Sequence, residues 1–84
     1  MIEQTSEFPR GLKEFEEDSK WFYDNISLLR KRKFKDKFVA IKNKEVIAFS
    51  NNLNVVVSSV EKKGENPAYI VIEFVYPEET IILL

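Results

Sequence analysis

The chain has 84 residues, a formal net charge of −1, and neither cysteine nor histidine. A domain of that length sits near the size at which one apolar core is marginal and a disulfide, a metal or a second subunit is often recruited. Without Cys or His there is no disulfide, no zinc, copper or haem site of the usual nitrogen and sulfur ligands, and no thiolate or Ser–His nucleophile.

Residues 1–11, MIEQTSEFPRG, read as an irregular segment because Phe8-Pro9 and Gly11 interrupt any regular element. This stretch is acidic and lacks the basic start and apolar centre of a secretory signal. No run reaches the ~18 apolar residues of a membrane span. The expected compartment is the cytoplasm, with no membrane partner. Asn25-Ile26-Ser27 matches a glycosylation acceptor by chance in that setting.

A single domain is expected over residues 12–77. Leu12, Phe15, Ser19, Phe22, Ile26 and Leu29 recur at alternating spacings of three and four, one face of a helix, with Trp21 and Leu28 widening the stripe. One helix, or two broken at Glu17-Asp18-Ser19, fits equally, since Asp18 and Ser19 are good N-caps. Glu14, Glu16, Glu17 and Asp18 are dense enough to suggest acid/base or two-metal chemistry. Adjacent helical residues do not face one another, however, so Glu16-Glu17-Asp18 reads as a solvated acidic turn.

The block RKRKFKDK follows. Arg30, Lys31, Arg32, Lys33, Lys35 and Lys37 with Phe34 between them make a candidate nucleic-acid contact, with phosphates gripped by the cations and bases stacked on Trp21, Tyr23 or Phe34. The plainer reading, which the near-neutral charge favours, is a solvated helix end complementing the acidic N-terminal half or a second copy.

In KFVAIKNKEVIAF, two runs of β-formers flank Asn43-Lys44, a two-residue type I′ hairpin turn. The expected register pairs Lys42 with Glu45, Ile41 with Val46, Ala40 with Ile47, Val39 with Ala48 and Phe38 with Phe49. Both hairpin faces are then apolar and both need covering. Residues 51–63 admit two readings. Val55-Val56-Val57 suggests a strand. Leu53, Val56, Val57 and Val60 at helical spacing, a polar cap at Ser50 to Asn52, a basic last turn, Gly64 and Pro67 together favour a helix. AYIVIEFVYP is a strand with Ile70, Ile72, Phe74 and Tyr76 on one side and Tyr69, Val71, Glu73 and Val75 on the other, Glu73 facing the less buried side.

Residues 78–84 form an apolar tail. Ile81, Ile82, Leu83 and Leu84 would pack on the hairpin face Phe38, Ala40, Ile47 and Phe49 or pair with a sheet edge, in the same chain or a partner's.

Together EDSKWFYDN, KFVAIKNKEVIAFS and EKKGENPAYIVIEFV resemble a family of small archaeal and bacterial proteins catalogued only as a domain of unknown function. Its members show a Trp-aromatic pair opening a helix, a "FVAIK"-like strand, a turn, a "VIA" strand, a helix and a "VLIEFVP"-like strand. The resemblance spans residues 15–77. Lys44 stands where that turn usually has glycine, and NVVVSSV replaces a Leu/Glu/Lys-rich helix. The resemblance implies a fold with the same order of helices and strands and brings no catalytic residues.

The expected architecture is α+β: helix, β-hairpin, helix, strand, a possible short C-terminal strand, a mixed three-stranded sheet with a right-handed crossover, and the helices on one face. Phe22, Ile26, Ile41, Val46, Ile72 and Phe74 should be buried. The expected function is a non-enzymatic protein-interaction module, a homodimer or the small partner of another protein, with nucleic-acid binding through residues 30–37 as the alternative. No cofactor, metal or catalytic residue is expected. Ser19-Lys20 and Ser59 are formal Ser–Lys candidates only, and Glu73 reads as a carboxylate on a partly open face beside Lys42 or Lys37.

Overall fold

The computed structural model describes residues 11–77. The tail, with Ile81, Ile82, Leu83 and Leu84, and residues 1–10 lie outside the described residues. Helix α1 runs Leu12–Asp24 and α2 Ile26–Lys31. The break falls at Asn25 rather than at Glu17-Asp18-Ser19. There the backbone opens to φ −112°, ψ 15° and the side-chain Nδ2 donates to Trp21 O at 2.8 Å. A side chain competing for a helix carbonyl is the local interaction by which Asn interrupts helices.

Strand β1 (Lys37–Ile41) turns through Lys42–Glu45 into β2 (Val46–Ser50). Asn43 and Lys44 both take positive φ, 54° and 61°, and Lys42 and Glu45 exchange backbone hydrogen bonds at 3.0 and 3.2 Å, the geometry of a two-residue I′ turn. Residues 53–62 are a helix. α3 (Leu53–Lys62) is capped by Asn52, whose side chain accepts from Asn54 N and Val55 N, and it closes at Gly64 with φ 83°. A single 3₁₀ turn at Pro67–Tyr69 leads to β3 (Val71–Val75).

The sheet order is β2-β1-β3, and both neighbouring pairs are antiparallel. The α+β class, the three strands and the element order are those expected; among the described residues the parallel pair of a mixed sheet is not present. β2 and β3 run in the same direction, but the α3 crossover carries β3 past β1 to its far edge.

The helices cover both faces of the sheet, not one. α1 and α2 close a cluster of Phe22, Leu29, Phe34, Val39, Ile41, Val71 and Val75, while α3 closes a second of Ala40, Ala48, Val56, Val60 and Ile70. The cause is visible in β1. Val39 and Ile41 alternate with Ala40, all three are fully buried, and a strand apolar on both sides needs two layers.

A β-bulge further alters the expected register. Ile41 pairs with Val46 as expected, but Ala40 then pairs with Ala48, Val39 with Phe49 and Phe38 with Ser50. Ile47 is the extra residue. It packs with Ala48 beneath α3, and Phe49 passes to the opposite face. Of the expected core, Phe22 and Ile41 are buried, Ile26, Val46 and Ile72 are half-buried at the cluster margins, and Phe74 is half-buried against the rings of Phe38 and Tyr76. The side of β3 carrying Glu73 is the more buried one, because Val71 and Val75 lie under α1 and α2.

Candidate functional site

The bulge and the crossover together build the most distinctive surface. With its register moved by one residue, Phe49 meets the buried Phe34 edge to face, ring centroids 5.0 Å apart at 86°, while remaining 38 % exposed. Phe34 belongs to the α2–β1 turn, and its neighbour Lys33 lies over the Phe49 ring, Nζ 5.0 Å from the centroid. On the other side of the sheet, α3 ends beside β2 and brings Ser59, Lys62 and Lys63 to the same place. The result is a groove of about 630 Å³, floored by Val46, Ile47, Ala48 and Phe49 and walled by Lys33 with Phe34 on one side and Ser59, Lys62 and Lys63 on the other. Among the described residues, none of these three lysines has a carboxylate partner. Nor does a hydrogen bond join the Ser59 hydroxyl to either nearby lysine.

The basic block is dispersed by the fold. Arg30 is turned to the far end of the sheet, where Nε donates to Tyr76 O at 3.0 Å. Arg32 lines a separate notch with Trp21, Phe34, Lys44 and Glu45. Lys31 and Lys35 are exposed, Lys37 lies half-buried in β1 opposite Val75, and Lys33 alone of the six reaches the groove. Lys62 and Lys63 do not stand out in the sequence beyond a helix end. The pattern that could have drawn them in is the pair itself, at the C-terminus of a helix returning along the sheet edge.

The hairpin face expected as an interface is split by the bulge, and two of its four residues, Ile47 and Phe49, line the groove. Ala40 is completely buried, Phe38 and Ile47 pack against the α3 cluster, and Phe49 belongs to the other face.

Two carboxylates have structural assignments. Asp18, expected in a solvated acidic turn, is 2 % exposed, and its oxygens accept from Asn43 N at 3.1 Å and Lys44 N at 2.9 Å, tying α1 to the hairpin turn. Glu73 faces Tyr23 rather than Lys42 or Lys37. The Tyr23 hydroxyl donates to it at 3.3 Å, and the negative charge of Glu73, then partial burial, hold the phenol above its ordinary pKa. Lys42 pairs instead with Glu65. Among the described residues no three carboxylates gather as a metal site, and no helix is long and apolar enough to cross a membrane.

A family model described as a family of unknown function, DUF5678, matches residues 30–78, from the last turn of α2 through β3. Every residue lining the groove falls inside that segment, whereas α1, with Asp18, falls outside it. No curated protein and no solved structure matches the chain.

Proposed function

The chain belongs to this family of unknown function, and we propose that it is a non-enzymatic interaction module, working in the cytoplasm, that takes an anionic protein partner in the groove along β2. The observation that carries this reading is the convergence of Lys33, Lys62 and Lys63 around the exposed Phe49. The net charge of the chain is only −1, so the positive potential is local, and a local field selects partners rather than attracting every polyanion.

A protein fits better than a nucleic acid. Single-stranded binding needs free aromatic faces for base stacking, and Lys33 already lies over the face of Phe49. Among the described residues Arg30 and Arg32 do not line the groove either, Arg30 being bonded to the Tyr76 carbonyl and Arg32 lining the neighbouring notch. A twofold dimer through this surface is disfavoured, because an isologous contact would set lysines against their own copies. The partner is a different chain, or a different face of a second copy.

Fluorescence anisotropy with a labelled peptide of glutamate and valine tests the proposal. Binding is expected at ~50 mM salt and should weaken markedly by ~200 mM as the exposed charges are screened. Capture of a labelled oligodeoxythymidylate in place of the peptide would transfer the groove to nucleic-acid binding. Binding of neither would overturn the proposal.

A further inference from the structure

Resting on that reading, we propose that the groove accepts an extended acidic segment of another protein as a fourth strand, paired to the outer edge of β2, its side chains directed alternately toward Lys33 and toward Lys62 and Lys63. β2 is a terminal strand of the sheet. Its inner edge is satisfied by β1, and among the described residues nothing pairs with its outer edge. An unpaired row of backbone donors and acceptors is a template for strand addition.

The walls of the groove lie on opposite faces of the sheet, Lys33 with Phe34 and Phe49 on the α1 and α2 face and Ser59, Lys62 and Lys63 on the α3 face. Successive side chains of an added strand point to opposite faces, with the strand ~4.8 Å from β2. Acidic residues at neighbouring positions therefore meet cations on both sides, and β-branched residues suit the apolar floor of Val46, Ile47 and Ala48. The bulge at Ile47 leaves Ala48–Ser50 in regular register with β1, so the new ladder is centred there.

The opposite edge does not compete for the same ligand. β3 is also terminal, but its neighbourhood holds Glu73, Tyr23 and Tyr76, and Arg30 is engaged by the Tyr76 carbonyl. An acidic segment would meet a carboxylate there. Charge thus distinguishes the two edges, while backbone pairing supplies affinity at the one selected.

The test uses the full chain and three forms of a glutamate–valine peptide: unmodified, N-methylated on odd-numbered amides, and N-methylated on even-numbered amides. Only alternate amides of an antiparallel strand face its neighbour. One methylated form is expected to lose binding and the other to retain it. Hydrogen exchange at backbone amides within Val46–Ser50 should slow only when a competent peptide is bound. Lys33→Glu, and separately Lys62→Glu with Lys63→Glu, should weaken binding roughly 2- to 30-fold, the effect of turning exposed attractions into repulsions. Equal binding of both methylated forms overturns strand addition and leaves the groove reading standing. No binding of any peptide, or binding unaffected by the charge reversals, removes the groove reading itself. The methylation arm uses the unaltered protein, so it does not depend on a variant folding.

Discussion

Replacing Asp18 by alanine is expected to cost about 2–4 kcal/mol of folding stability. The side chain is 2 % exposed and its two oxygens accept backbone N–H groups from consecutive turn residues, Asn43 and Lys44, at 3.1 and 2.9 Å. A hydrogen bond to a charged group contributes ~1.5–3 kcal/mol. Two would give ~3–6, lowered here because Asn43 and Lys44 are themselves exposed and water can reach the freed donors. The turn is also intrinsically costly. Lys44 has φ 61°, a left-handed conformation that disfavours a residue with a Cβ by ~1–2 kcal/mol, and the carboxylate holds it there. A domain of this size has only about 4–13 kcal/mol in total, so the loss is a large share of it. Urea denaturation with a common slope for both proteins measures the difference. Asp18→Asn, which keeps one acceptor oxygen, should fall between wild type and Asp18→Ala. An alanine variant within ~0.5 kcal/mol of wild type would refute the assignment of Asp18 as the tie between α1 and the hairpin, since surface substitutions commonly fall in that range.

Phe22→Ala should cost ~3–5 kcal/mol by the same assay and Phe74→Ala only ~1–3, because Phe22 is 2 % exposed and Phe74 half-buried; equal losses would contradict the two-sided core. Asn52→Ala removes the acceptor for Asn54 N and Val55 N and should lower stability by ~1 kcal/mol, with Asn52→Ser largely restoring it. The Tyr23 phenol should titrate above its ordinary value of 10.0, and Glu73→Gln should bring it down, as followed by phenolate absorbance. Since the folded value is the higher one, the stability this contact contributes is present below pH 10.0 and is lost as pH rises through the folded pKa; a phenol indifferent to Glu73→Gln would remove the contact as its cause.

Local chemistry makes much of the fold legible. Asn43-Lys44 between two β-forming runs marks the hairpin turn, and Asn52, Gly64 and Pro67 punctuate α3 strongly enough to override three consecutive valines. What escapes depends on the third dimension. Alternation along β1 shows two apolar faces without showing which helix covers each. The bulge at Ile47 is invisible because inserting one residue leaves both flanking strands with good β-formers; only packing distinguishes Ala48 beneath α3 from Phe49 against Phe34. The groove escapes for the same reason. The contiguous basic run points to residues 30–37, yet the fold retains Lys33 from it and recruits Lys62 and Lys63 from the end of another helix. The burial of Asp18 leaves no trace in the sequence, because a carboxylate serving backbone donors on a distant turn has no local pattern of its own.

The directly opposed Ala40 and Ala48 lie under α3 with Val56 and Val60. Two methyl-sized side chains let the helix settle low on the sheet, and its descent fixes how far Lys62 and Lys63 stand from Lys33 across the strand between them. Ala48 contributes to the floor of that groove as well as to the buried layer, so one side chain is both spacer and ruler. Enlarging it would raise α3 and separate the two cationic walls without altering a single charge. A larger side chain at this core position would therefore reshape the groove from beneath, leaving every residue on its rim unchanged.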